Sequence, residues 1–330
     1  IHESAGKDES VCLYDINGDG KLEAIYQAGD TVTVVDWQGK LVWEYQMTKG
    51  ASTAPNAFDI DRDGQVEVVI GDGNGNLFCL SSTGTEKWRF QAGDRFRHQQ
   101  EIIADFNNDG EYEIAAHSDD GYLYLLTFFG TELWRFPVGQ KYWEVNDNAG
   151  NHEGGMAAAD IDGDGSLEIV TTDMMGNVYA VNDDGSQLWY YKLPEEVWSG
   201  TLICDFTGDG KLDVIVEGEE NQTNPYPFGM VAVLAGDTGE LQLVYPQGLT
   251  ASTPSVGDFD SDGKVEMVAQ AWSAPIMVLT ADGTYDPTLM PWPYNYKTPG
   301  NNGVIPVPEA AVAAALISSL VLAGMRVRRQ

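Results

Sequence analysis

The chain has 330 residues, with 51 acidic and 18 basic side chains and a formal net charge of −33 at pH 7. Apolar residues make up 43% and aromatics 11%, enough for a large core and against intrinsic disorder. The acidic excess excludes a basic nucleic-acid footprint, because phosphate backbones would be repelled. Three cysteines without a CxxC exclude a disulfide scaffold and a thiolate zinc site.

In chain order, one acidic nonapeptide recurs six times. It reads DINGDGKLE from Asp15, DIDRDGQVE from Asp59, DFNNDGEYE from Asp105, DIDGDGSLE from Asp160, DFTGDGKLD from Asp205 and DFDSDGKVE from Asp258. The steps are 44, 46, 55, 45 and 53 residues. The second unit shows what surrounds each copy. STAPNAFD precedes the loop, and VEVVIG, NLFCLS and TEKWRF follow, separated by Asn-Gly, Asp-Gly and Thr-Gly turns. Four short strands joined by tight turns form a β-meander. No run sustains a 3.6-residue period, so helices should be scarce. The repeat length predicts an all-β fold over residues 1–295: a β-propeller of four-stranded antiparallel blades, six visible and six or seven in the ring.

Trp43, Trp88, Trp134 and Trp189 follow their leading Asp by 28 or 29 residues, each four residues after a Gly. A Trp recurring in this way should pack between blades. Leu243 and Pro287 stand in the last two repeats, which are degenerate at this point. Cys12, Cys79 and Cys204 lie in apolar runs and read as small buried residues.

The nonapeptides carry the chemistry. Hard cations take several oxygens at about 2.3–2.6 Å. Positions one, three, five and nine supply them: Asp15, Asn17, Asp19 and Glu23; Asp59, Asp61, Asp63 and Glu67; Asp105, Asn107, Asp109 and Glu113; Asp160, Asp162, Asp164 and Glu168; Asp205, Thr207, Asp209 and Asp213; Asp258, Asp260, Asp262 and Glu266. Gly at position six permits the sharp turn. A helical calcium hand needs Glu at position twelve, and Tyr26, Ile70, Ala116, Thr171, Val216 and Ala269 stand there instead. The loop must therefore run straight into a strand. Up to six Ca²⁺ ions are expected, in a structural role. The fifth loop, with Thr207 and the shorter Asp213, should bind last or not at all. These positions hold 21 of the 51 acids, so the sites account for much of the charge.

The loops with their flanking strands resemble FG-GAP/VCBS repeats, the calcium-loop propeller repeats of integrin α-chains and many bacterial surface proteins. The G-x-x-x-W-x-[FY] strands also resemble PQQ-like propeller repeats. The resemblance implies fold and metal and is nearly silent on ligand.

In a four-stranded blade the acidic loops share one face. Both conspicuous insertions, Lys141–Asn151 and Glu219–Phe228, fall on the other. Candidate ligand residues there are Arg97, His98, Tyr142, Trp143, His152, Trp198, Tyr226 and Trp272, with Arg95, Phe96, Glu144 and Glu153 beside them. Aromatics among polar groups suit a glycan or protein ligand. Only four His occur, and HExxH, GxSxG and a vicinal Cys pair are all absent. The expected role is a calcium-binding adhesion or binding module outside the cell or on its surface. The alternative is a secreted polysaccharide-active enzyme of lyase type.

Residues 296–309 read as a Pro/Gly/Asn linker. Residues 310–330 read as an apolar helix, Ala310 to Met325, followed by Arg326, Arg328 and Arg329. A helix of that length spans roughly 24 Å, short of the ~30 Å hydrocarbon core. The tail resembles a PEP-CTERM sorting signal, although Val307-Pro308-Glu309-Ala310 departs from Pro-Glu-Pro. Membrane or sorting machinery is the partner this implies, with a plain membrane anchor as the rival. Residue 1 is Ile, so the sequence is read as a mature form or a fragment.

Overall fold

The computed structural model describes residues 11–50, 53–96, 101–139, 155–194, 196–197, 199–218, 229–246, 253–269 and 276–291. The strands follow the repeat. The first blade contains β1 (Val11–Tyr14), β2 (Glu23–Ala28), β3 (Thr31–Val35) and β4 (Leu41–Gln46). The second contains β5 (Asn56–Phe58), β6 (Glu67–Gly71), β7 (Asn76–Ser81) and β8 (Glu86–Gln91). The third contains β9 (Ile102–Ala104), β10 (Glu113–Ser118), β11 (Tyr122–Thr127) and β12 (Glu132–Pro137). The fourth contains β13 (Met156–Ala159), β14 (Glu168–Thr172), β15 (Asn177–Val181) and β16 (Gln187–Lys192). The fifth contains β17 (Leu202–Cys204), β18 (Asp213–Gly218), β19 (Met230–Ala235) and β20 (Leu241–Pro246). The sixth contains β21 (Ser255–Gly257), β22 (Lys264–Ala269) and β23 (Met277–Thr284).

Every sheet is an antiparallel meander in chain order, the arrangement of a β-propeller blade. Five sheets have four strands. The sixth has three among the described residues, one fewer than expected. Pro287, which stands at the Trp position, opens a short 3-10 turn, Pro287–Leu289. A proline has no N–H to give a strand ladder.

The second strands β6, β10 and β18 are buried throughout, whereas a fourth strand such as β8 alternates towards solvent. Buried clusters join consecutive blades: first to second, second to third, third through fifth, and fifth to sixth. No such cluster among the described residues joins the sixth blade to the first. Cys12, Cys79 and Cys204 are free and buried, as expected.

The tryptophans pack between blades as predicted. Each indole Nε1 donates to a backbone carbonyl of the next blade: Trp43 to Ser82, Trp88 to Phe128, Trp134 to Asp183 and Trp189 to Gly236, at 2.6–2.9 Å. The Gly of the following blade lies flat on the ring. A Cβ on Gly84, Gly130, Gly185 or Gly239 would come within 2.5–2.9 Å of indole carbons. The Gly four residues before each of the later three tryptophans is thus the seat of the preceding one. No described helix is long and apolar enough to cross a membrane. The apolar tail at 310–330 lies outside the described residues.

Candidate metal centres

Each acidic loop links the first strand of its blade to the second, and the ninth-position acid opens that second strand or lies within it. Glu23, Glu67, Glu113, Glu168 and Asp213 are the first residues of β2, β6, β10, β14 and β18. Glu266 lies inside β22. Position two is apolar, and its backbone N–H donates to this acid in all six blades. The pairs are Ile16 to Glu23, Ile60 to Glu67, Phe106 to Glu113, Ile161 to Glu168, Phe206 to Asp213 and Phe259 to Glu266, at 2.8–3.2 Å.

The turn is drawn around the first acid. The N–H of the position-six Gly donates to Asp15, Asp59, Asp105, Asp160, Asp205 and Asp258 at 2.8–3.2 Å. The N–H at position seven donates to the position-five acid in every loop, at 2.8 or 2.9 Å. Two positions adopt the left-handed region. One is the invariably Gly position six. The other is position four, which holds Gly18, Arg62, Asn108, Gly163, Gly208 and Ser261. Asn accepts this region readily, whereas Arg and Ser do so at some cost.

These bonds aim carboxylates inward. Ligand oxygens of Asp59, Asp61 and Glu67 lie within 4.8 Å of one another, as do those of Asp160, Asp162 and Glu168, and of Asp258, Asp260 and Asp262. The ninth-position acid is 0–4% exposed in all six loops. Burial raises the carboxyls of Glu113 and Glu168 to about 7 and that of Asp213 to about 6, and it also raises those of Glu23 and Glu67. The decisive feature is what the acids lack. Glu23 Oε1, Asp59 Oδ1, Asp213 Oδ1 and Glu266 Oε1 are buried with no hydrogen-bond partner. An orphaned buried carboxylate oxygen is costly unless something positive meets it. An all-oxygen donor set of this kind fits Ca²⁺.

The sequence reading missed three features. The position-two N–H is one, since an apolar residue there reads only as core. The left-handed position four is another. Its signal was a mix of Gly, Asn, Arg and Ser that hides the shared backbone. The third lies on the opposite face. Asp72 accepts from the N–H groups of Asn74 and Asn76, and Asp173 from those of Met175 and Asn177, at 2.8–3.0 Å. Asp120 accepts from Gly93 of the preceding blade at 2.7 Å. The shared D-x-x-G-N of residues 72–76 and 173–177 was the available signal.

The ligand-face residues Arg97, His98, Tyr142, Trp143, His152, Trp198, Tyr226 and Trp272 lie outside the described residues, as do Glu144 and Glu153. One of their companions is corrected. Phe96 is 2% exposed and belongs to the core shared by the second and third blades. Arg95 is tied to the buried carboxylate of Asp119 at 2.5 Å. On the loop face, a cleft of about 840 Å³ opens beside the first and second loops, and one of about 460 Å³ beside the fourth and fifth.

Residues 31–96 and 137–218 match the λ-carrageenase β-propeller domain family. A λ-carrageenase of Pseudoalteromonas carrageenovora is 28% identical over 75 residues, covering 23% of this chain and 8% of that enzyme. A Pseudoalteromonas sp. λ-carrageenase matches equally. The match therefore spans under a tenth of these curated relatives. Among solved structures, the chain is similar to a rhamnogalacturonan lyase of Bacillus licheniformis, with a TM-score of 0.56 and 18% identity over 83% of this chain and 56% of that one. It is also similar to BamB of Moraxella catarrhalis, with a TM-score of 0.54 and 13% identity over 85% of this chain and 76% of that one. At such identities the shared property is the β-propeller fold.

Proposed function

We propose that this chain is a calcium-stabilised propeller that binds a polysaccharide at the cell surface or outside the cell. The carrying observation is the sixfold acidic loop, in which a buried oxygen of the ninth-position acid has no other partner in the first, fifth and sixth copies. Each ion would tie the first strand to the second and offset part of the −33 charge. That offset also bears on the ligand. An anionic glycan is repelled by this surface unless bound cations intervene. The two sets of relatives named for polysaccharides, λ-carrageenase and rhamnogalacturonan lyase, favour that ligand class. The likeness to FG-GAP/VCBS repeats fits the same reading.

The test has two parts. Elemental analysis should find calcium, and EDTA should lower the melting temperature. A loop whose ion is at ten times its Kd gains about 1.4 kcal/mol. An unchanged melt with no metal would sink the reading. A glycan array with and without calcium then asks for the ligand, and replacing Trp143 and Trp198 by Ala should abolish binding. The second reading, a polysaccharide-active enzyme, rests on the match to the λ-carrageenase propeller domain. Turnover of a carrageenan or a pectic polysaccharide by the full chain would favour it over simple binding.

A further inference from the structure

The six loops share one frame, but the second contains a side chain that none of the others has. In five blades the pairing of the third and fourth strands shifts at the same place. The shifts fall at Val34/Val35, Cys79/Leu80, Leu125/Leu126, Ala180/Val181 and Val233/Leu234. The residue left out of the ladder is Val42, Lys87, Leu133, Leu188 or Gln242. A bulge re-aims the side chain it carries. Four of these side chains are uncharged. The fifth is a lysine, and its ammonium reaches the acidic loop of its own blade. Lys87 Nζ lies 2.6 Å from Asp61 Oδ2 and 2.9 Å from Glu67 Oε1. Those residues are two of the three whose oxygens converge in this loop. In the first, fifth and sixth loops the matching oxygen of the ninth-position acid has no partner.

We propose that Lys87 is a built-in counter-cation that takes the place of the divalent ion in the second loop, leaving this loop free of calcium while its neighbours are loaded. The inference rests on the calcium reading above and narrows it. One ammonium brings one positive charge where Ca²⁺ brings two, and it makes two bonds where Ca²⁺ takes six to eight oxygens. Asp59 Oδ1, still without a partner, is the remainder of that mismatch. The second blade would thus keep its turn when calcium is withdrawn, and would serve as the ion-independent blade of the ring.

The experiment is calcium stoichiometry of the full chain by native mass spectrometry, with melts in calcium and in EDTA. Lys87→Met should bind one more ion than the unaltered protein. It should melt below it in EDTA and level with it in calcium. The converse variant, Leu133→Lys, places an ammonium at the same bulge of the third blade and should lose one ion. This second arm stands if Lys87→Met fails to fold. Equal, non-zero stoichiometry in all three proteins overturns the assignment and leaves the calcium reading intact, Lys87 then being a neutraliser of one surplus acid. Absence of calcium from all three overturns the calcium reading and this assignment with it.

Discussion

The second to fourth blades and the last two blades solve one packing problem in different ways. Between the earlier blades, a Trp lays its ring under the Gly of the next turn and donates to a carbonyl beyond it, as Trp134 does with Gly185 and Asp183. Between the fifth and sixth there is no such indole among the described residues. Leu243 sits where the Trp would be, paired with Val233, and is 36% exposed. Besides the shared apolar cluster, the contact there runs through backbone. Asp205 N–H donates to Leu289 C=O at 2.9 Å, and a Cβ on Gly283 would come 3.0 Å from Gly208. The comparison teaches that the indole is one means of clamping neighbouring sheets, and that a close backbone approach stands in its place where the described sheet has three strands.

The sharpest way to break this comparison is Trp189→Ala. Trp189 is 6% exposed and holds Gly236 and Gly239 of the fifth blade. Removing it should cost about 3–5 kcal/mol in a denaturant melt, as for other buried Trp truncations. Leu243→Ala, on a half-exposed site, should cost about 1 kcal/mol. Equal losses would remove the distinction between the two kinds of contact.

A second contrast runs along the opposite face. Glu101 precedes the first strand of the third blade, where Thr201 stands in the fifth. Burial raises the Glu101 carboxyl from 4.5 to about 8. The folded chain therefore keeps a proton that the unfolded chain has released. That contribution is present below pH 4.5 and is lost as pH rises towards 8. Glu101→Gln should reduce the fall in stability between those limits by on the order of 2–4 kcal/mol, whereas Thr201→Val should leave the pH dependence unchanged. Urea titrations at several pH values read this directly.

A smaller effect comes from the glycine seats. Gly239→Ala, at φ +69° with Trp189 carbons 2.7 Å from the added Cβ, should cost about 2–3 kcal/mol. Gly39→Ala has the same hand of backbone, at φ +78°, with nothing within 4 Å, and should cost about 1 kcal/mol. The smallest effect is expected in the sixth loop. Ser261 sits at φ +65° where the fourth loop has Gly163. Ser261→Gly should stabilise by a few tenths to about 1 kcal/mol, seen as a small rise in melting temperature.

The residues themselves determined the repeat, the four strands of most blades, the acidic turn and the Trp contacts. All of these rest on bonds within a few positions of one another or on an identity that recurs in register. In the acidic loop, the hydrogen bonds run from i to i+2 through i+7, so nine letters specify the turn. The tertiary structure alone decided the rest. Lys87 and Asp61 are 26 positions apart and meet only because a bulge in the fourth strand turns one side chain back onto the loop. Likewise, the glycine that looks like a turn residue is the seat of a ring 41 or more positions earlier, as Gly84 is for Trp43. Such meetings depend on how sheets stack. A one-dimensional pattern records which side chains are present and cannot record the distance that stacking sets between them.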